Sequence, residues 1–229
     1  MRKIITESKF YWYLKRKLNI KSKNKIFFED ISYNRISFIQ RSIKKFNPKS
    51  CKYLEIGVFQ NAVFDTIYLS EKNKFGVDPV SGGNYRMTSD EFFKKNKDFF
   101  DVIFIDGLHE YTQCQKDCIN ALNFLKPSGI ILIHDLVPQN ADEEFVPQRS
   151  KTWTGDVWKV AVELSQSKDI DFVIANIDHG VGILKKRKNY KYKILKELKH
   201  KRFNAFYNYY YKKLPIVSST QAMKFIDKR

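Results

Sequence analysis

Asp101-Val-Ile-Phe-Ile-Asp-Gly-Leu-His-Glu-Tyr111 joins a strand-forming run to two ionisable side chains, Asp106 and His109, held three positions apart. Val102, Ile103, Phe104 and Ile105 are apolar without alternation, the pattern of a parallel strand covered on both faces and central in its sheet. In an open α/β sheet the ligand crevice lies beyond the carboxyl ends of the strands, so Asp106 and His109 are expected at its mouth. Asp106 also suits the N-cap of the helix that follows. A second copy of the pattern favours chemistry over capping: Gly129-Ile-Ile-Leu-Ile-His-Asp135 is another apolar run, ending in His134 and Asp135. Carboxylates at the tips of two neighbouring parallel strands can share one divalent cation or a water.

Upstream, Lys52 to Val58 reads as the first strand, a turn at Gly57 follows, and a helix is expected over about Ala62 to Ser70. Lys74 to Val77 is the next strand, ending at Asp78, 23 positions after Glu55 and close to the spacing at which a nucleotide-binding βαβ unit places its ribose acid. Before these, Ser32 to Phe46 is predicted as an amphipathic helix with Ser32 as N-cap and Ile36, Ile39, Ile43 and Phe46 inward. Gly82-Gly83 marks a loop, and Glu91 to Lys97 reads as a short helix with Ser89 or Asp90 as its cap. Downstream, Thr112 to Lys126 is predicted helical, with Cys114, Cys118, Leu122 and Leu125 on one face. Residues 136 to 154 show no periodicity and are expected to form a lid over the His134-Asp135 end. A helix from Gly155 to Ser165, with Asp156 near its start, precedes two strands, Asp171 to Ile177 and Val181 to Leu184, paired through a turn at Asp178-His179-Gly180.

The net charge of +17 is unevenly placed. Residues 1–52 hold 15 Lys+Arg against 3 acids and residues 185–229 hold 15 against 2, whereas residues 53–184 hold 12 against 20. Basic flanks around an acidic middle suit an anionic partner such as a phospholipid surface, a charged glycan or nucleic acid, as well as plain solvation. Three cysteines without a C-x-x-C pair indicate neither a disulfide framework nor a zinc cluster, and fit a reducing compartment. No apolar run approaches 18 residues, and the N-terminus lacks an apolar signal core. The expectation is a cytoplasmic protein, with peripheral attachment to a membrane as an option left by the basic flanks.

The pieces Y-L-E-I-G-V, G-V-D-P, S-D-E-F-F, F-I-D-G-L-H-E-Y, L-K-P-S-G-I-I-L-I-H-D and G-D-V-W-K resemble the class I S-adenosylmethionine-dependent methyltransferases. More narrowly, they look like the subgroup of O-methyltransferases that tailors sugars, polysaccharides and natural products. The resemblance implies an α/β, Rossmann-like sheet, mostly parallel with a C-terminal antiparallel hairpin and with helices on both faces. It covers residues 32–184, between a basic N-terminal extension, 1–31, and a basic, Tyr-rich extension, 185–229. It also implies cofactor contacts: Glu55 and Gly57 against the methionine portion, Asp78 on the ribose, Ser89 beside the adenine. The usual glycine-rich turn is reduced to Gly57, with Asn61 where a second glycine often stands. In metal-dependent relatives the acid at the Asp106 position binds magnesium and the residue three further on serves as base, which implies Asp106 and Asp135 as ligands and His109 as base. His134 occupies a position often acidic in such relatives. An imidazole there suits a transition metal, a contact to the acceptor, or a site without metal in which His134 itself is the base.

The stretch after Lys185 interleaves cations with tyrosines, and residues 190–213 are expected to form an amphipathic helix with Ile194, Leu198 and Phe206 partly buried, at an oligomer contact or an anionic surface. Three functions compete: an O-methyltransferase of a saccharide or other hydroxylated small molecule or glycan, a nucleic-acid methyltransferase using the basic flanks, and a catalytically degenerate binding module. D-G-L-H-E-Y stands where nucleic-acid base methyltransferases commonly carry an Asn/Asp-Pro-Pro-Tyr/Phe motif, and Glu55, Asp78, Asp106, His109 and Asp135 are all present, so the first is preferred.

Overall fold

The computed structural model describes Ile26, Phe28, Glu29 and residues 33–228. Apart from Ile26, Phe28 and Glu29, the N-terminal extension lies outside the described residues, as does the expected cap Ser32.

Seven strands form one sheet: β1 (Tyr53–Ile56), β2 (Lys74–Val77), β3 (Phe100–Ile105), β4 (Leu125–Ile133), β5 (Lys168–Ala175), β6 (Val181–Lys191) and β7 (Ile216–Val217), in the order β2-β1-β3-β4-β6-β5-β7. Pairing is parallel from β2 through β4, antiparallel for β4 with β6 and β6 with β5, and parallel again for β5 with β7. All six residues of β3 are buried, as its unbroken apolar run predicts. The chain leaves β1 toward β2 on one side and returns to β3 on the other. That reversal opens a crevice over the ends of β1 and β3, where Ile56 pairs with Ile105 and Gly57 therefore lies beside Asp106.

One face is covered by α1 (Arg35–Ile43), the turn around Val63–Ile67 and α6 (Ser219–Asp227); the other by α2 (Ser89–Lys95), α3 (Tyr111–Phe124), the short α4 (Ala141–Glu144) and α5 (Trp158–Ser165). Asn34 caps α1, accepting from the amides of Ile36 and Ser37, and Phe38, Ile39 and Ser42 form its buried side; Ile36, Ile43 and Phe46 are only partly covered. Thr88 caps α2 in a capping box with Glu91, so Ser89 is the first helical residue and no cap. Among the described residues no helix is long and apolar enough to cross a membrane.

Four expectations change. The helix over 62–70 is absent: after three consecutive left-handed residues, Phe59, Gln60 and Asn61, the chain makes turns and a single 3₁₀ turn, Phe64–Thr66, because Asn61 Oδ1 is engaged by the Gly83 amide and Thr66 Oγ bonds back to Val63 O. The segment 136–154 is no detached lid, since Leu136, Val137, Ala141 and Phe145 are buried in the core and only its last part borders a cavity. α5 begins at Trp158 instead of Gly155, because Gly155 is left-handed and the Asp156 carboxylate accepts the Tyr111 amide at 2.7 Å, capping α3 in place of its own helix. The amphipathic helix over 190–213 is replaced by the end of β6 and a series of short helical turns; Leu198, Phe203 and Phe206 are fully buried while Ile194 is exposed. Strand β6 itself runs through position 185, so residues on both sides of it share one sheet and one core.

Candidate active site

Gly57, with φ +83°, lets the chain leave β1 directly against β3: a Cβ there would lie 2.2 Å from Asp106 O. The resulting cavity, of about 870 Å³, is bounded by Glu55, Gly57, Asp78, Ser89, Asp106 and His109, and also by Arg35, Phe59, Gln113 and Trp153. Six residues from the ends of β1, β2 and β3 and the start of α2 thus share one crevice. His134 and Asp135 lie behind its wall, 8% and 5% exposed.

Each position has a physical cause. Asp78 ends β2 and accepts four backbone N–H groups, from Val58 (3.1 Å), Phe59 (3.2 Å), Val80 (2.7 Å) and Ser81 (2.9 Å). Partial burial pushes this carboxyl up, and the four amides override that and hold it below its usual range. They also fill the roughly four acceptor directions a carboxylate offers. Glu55, on the α1 face of β1, accepts the Tyr53 hydroxyl at 2.6 Å; burial, with Asp106 nearby, raises it to about 8 in spite of that bond. Ser89 accepts from Gln113, which also reaches Asp117.

At the tips of β3 and β4 the ionisable groups converge. His109 Nδ1 lies 2.7 Å from Trp153 O; a carbonyl only accepts, so Nδ1 carries the hydrogen and Nε2 turns to Asp106 Oδ1 (3.4 Å) and Asp135 Oδ2 (3.2 Å). His134 Nδ1 faces Asp106 Oδ1 (3.2 Å) and Asp135 Oδ1 (3.3 Å), and its Nε2 is 3.4 Å from Asp178 Oδ1 without forming a hydrogen bond. Asp135 holds φ +61°, a costly conformation for a residue with a side chain and one that aims its carboxylate inward. Arg35, the first residue of α1, forks onto Asp178 at 3.2 and 3.0 Å and holds its Nε 3.7 Å from Asp106. Burial alone would raise Asp106 and lower both imidazoles. Their mutual attraction prevails, so Asp106 is held below the carboxylate range, and His109 and His134 are raised.

The charges do not balance by themselves. Three carboxylates, Asp106, Asp135 and Asp178, face one permanent cation, Arg35, which leaves a deficit of about two positive charges in a largely buried cluster. Protonating both imidazoles or binding one divalent ion meets it. The ligand atoms of Asp106, His134 and Asp135 lie within 4.8 Å of one another, and the N to O spacings of 3.2 and 3.3 Å are those between neighbouring ligands of an ion roughly 2.0–2.4 Å away. The residues present therefore fit a divalent cation.

Arg35 and Asp178 belong to this cluster but stand 143 positions apart, and no local motif marks either. The only sequence signal for Asp178 is its turn with His179 and Gly180; the structure shows both Asp178 and His179 left-handed.

Residues 71–136, from just before β2 to just after Asp135, match a family model described as a methyltransferase domain. No curated protein matches the chain. Among solved structures, the chain is similar to the SAH-bound methyltransferase PaMTH1 of Podospora anserina, with 16% identity over 66% of this chain and 77% of that one at a TM-score of 0.49. It is also similar to the O-methyltransferase of Bacillus cereus in complex with SAH, with 12% identity over 76% and 86% at a TM-score of 0.45. The strand order, with its crevice at the β1/β3 reversal and an acid closing β2, is that of a Rossmann-like sheet, and the family-model match across that crevice makes residues 71–136 similar to a methyltransferase domain.

Proposed function

We propose that the protein transfers a methyl group from S-adenosylmethionine to a hydroxyl of a saccharide or another hydroxylated small molecule or glycan, with a divalent cation held by Asp106, His134 and Asp135. The observation that carries this reading is the convergence of Asp106, His134 and Asp135 at the tips of β3 and β4, with ligand atoms within 4.8 Å of one another. Bound in the cavity, S-adenosylmethionine supplies an electrophilic methyl group on a sulfonium. A divalent cation at the three ligands would lower the pKa of a nearby hydroxyl, and the His134 imidazole among them favours a first-row transition ion over magnesium.

His109 is the base in this reading. It lines the cavity, its Nδ1–H is fixed by Trp153 O, and its Nε2 is the nitrogen left to take the hydroxyl proton. His134 is less suited, because it is 8% exposed and both its nitrogens face carboxylates. Asp106 and Asp135 stabilise the imidazolium that proton transfer leaves at His109. Glu55, Gly57 and Ser89 border the cofactor, and ribose binding at Asp78 must displace or share one of its four amides. Phe59 and Leu108, exposed at the mouth, and Trp153 beside His109 offer apolar faces to a sugar ring. The lysines along β6 and beyond support attachment to an anionic surface, with nucleic acid the less favoured partner.

Activity measured before and after chelation, then with Mg²⁺, Mn²⁺ and Zn²⁺ restored singly, tests the metal. His109→Ala is expected to lower turnover by roughly 10²- to 10⁴-fold while S-adenosylhomocysteine affinity stays within about twofold. Full activity in chelator, with His134→Ala inactive and His109→Ala active, would reverse the two histidines' roles.

A further inference from the structure

A second cavity, of about 260 Å³, opens beside the first and takes no part in the reading above. No lining residue is common to the two, but the chain passes from one to the other at two places. His109 and Gln148 line the larger, and their near neighbours in sequence Glu110 and Val146 line the smaller. Between them the His109 carbonyl is packed so closely on Gly155 that a Cβ at Gly155 would lie 1.6 Å from it.

The lining of the smaller cavity carries more donors than its own acids use. Arg202 is 6% exposed; its Nη1 reaches Asp156 Oδ2 at 3.4 Å, and its buried Nε has no partner. Asp156 is already engaged by the Tyr111 amide at 2.7 Å and by the wholly buried Lys159 at 2.6 Å, so it has little left to offer the guanidinium. Lys199 and His200 stand exposed at the rim, and Thr112 presents the first turn of the 14-residue helix α3, whose amides favour negative charge. Glu110, half-buried, is the remaining carboxylate of the lining. A guanidinium, an amine, an imidazole and a helix start thus surround a space large enough for a tetrahedral oxyanion and several carbons, and planar guanidinium donors match such groups well.

We propose that this cavity is an oxyanion subsite, receiving the phosphate or sulfate of an anionic acceptor whose hydroxyl enters the neighbouring cavity. The acceptor part rests on the methyl-transfer reading; the anion-binding part does not.

Calorimetric titration of the full chain with inorganic phosphate, at low ionic strength and with or without saturating S-adenosylhomocysteine, tests the anion site without reference to activity. Expected is saturable binding of one phosphate, unchanged by S-adenosylhomocysteine and weakened about tenfold or more by Lys199→Glu and by Arg202→Lys. Lys199 is exposed, so its variant decides the matter should the Arg202 variant fail to fold. Absence of saturation, equal binding by Lys199→Glu, or displacement of phosphate by S-adenosylhomocysteine would overturn the proposal. Glucose 6-phosphate separates the two sources of the anion: tighter binding than either phosphate or glucose supports an acceptor-borne group, and affinity no better than phosphate overturns that part. Failure of the methyl-transfer reading would show as inactivity with every metal while phosphate still binds.

Discussion

Glu55 is a carboxyl on a central strand, 1% exposed, which accepts one hydrogen bond among the described residues, from the Tyr53 hydroxyl. Burial raises it to about 8, and Glu144, buried under the segment that follows β4, is raised likewise to about 8 by burial. An acid whose folded pKa lies above its unfolded value, near 4.5, keeps its proton in the folded state after the unfolded chain has released it. The unfolded state then binds fewer protons, so stability falls as pH rises from about 4.5 to about 8, and each such group contributes up to about 1.4 kcal/mol per pH unit within that window. Melting temperature measured by calorimetry from pH 6 to 8 should decline, and Glu55→Gln, which keeps an acceptor for Tyr53, should remove part of the decline and leave the shares of Glu144 and of the raised imidazoles His109 and His134. A slope equal to that of the native protein would mean that Glu55 is ionised when folded. At this scale the site is legible where function and local pattern coincide. Asp106, His109, His134 and Asp135 each follow an apolar strand, and that short-range signal marks them. Arg35 and Asp178 are brought to the cluster by α1 and by a hairpin turn, contacts that no window of neighbouring residues contains. Arg202 is hidden for the same reason, on a stretch whose composition reads as solvated surface.

Among the elements, the strands of the parallel half were the most legible, because strands buried on both faces write themselves as continuous apolar runs. The turn after β1 stands where the order of strand, glycine turn and helix predicts a helix; Val63, Phe64 and Ile67 are buried, but in a turn held by side chain to backbone bonds. The C-terminal elements were obscured by charge. Helix α6 begins with a capping box between Ser218 and Gln221, lays Ala222 and Ile226 on the core beside α1, and ends where Lys185 donates to the carbonyls of Phe225, Ile226 and Lys228 at 2.7, 3.0 and 2.6 Å. Ile226→Ala should destabilise the protein by roughly 2–5 kcal/mol, the usual effect of emptying a buried isoleucine site. Urea denaturation measures this, and a loss below 0.5 kcal/mol on the order-of-magnitude scale of surface substitutions would mean that α6 is not docked in solution.

For the whole molecule, the +13 of residues 185–229 reads in sequence as a basic, Tyr-rich extension, and its distribution in space differs. β6 starts beside the site, where Gly182 pairs with Ile133, and runs away from it until Lys191 lies opposite Lys168 at the far end of the sheet. Its cations have unequal duties: Lys185 caps α6 and Lys186 donates to Leu122 O near the end of α3, while Arg187 pairs with Asp171 and Lys188 is exposed. Lys185→Glu should therefore lower the melting temperature by several degrees, equivalent to about 1–2 kcal/mol, and Lys188→Glu should leave it unchanged. Thermal scans of the two variants side by side check this, and equal shifts would show that Lys185 is no more structural than its neighbour. Legibility fails here because charge is summed along the chain, whereas its effect depends on which carbonyl each ammonium meets.

The pairing of α1 with α6, made by residues as far apart as Arg41 and Asp227, bears on how the chain comes off the ribosome. The face of the sheet that carries Val102 and Phe104 is covered by Phe38 and Ile39 of α1, and its cover is completed when Ala222 and Ile226 reach it. Until α6 has been made that apolar surface has only α1 and the turn around Val63–Ile67 as its cover, so the nascent chain offers chaperones an incompletely closed face, and a translation product stopped after β6 would hold most of the ligand cavity while leaving that face partly open.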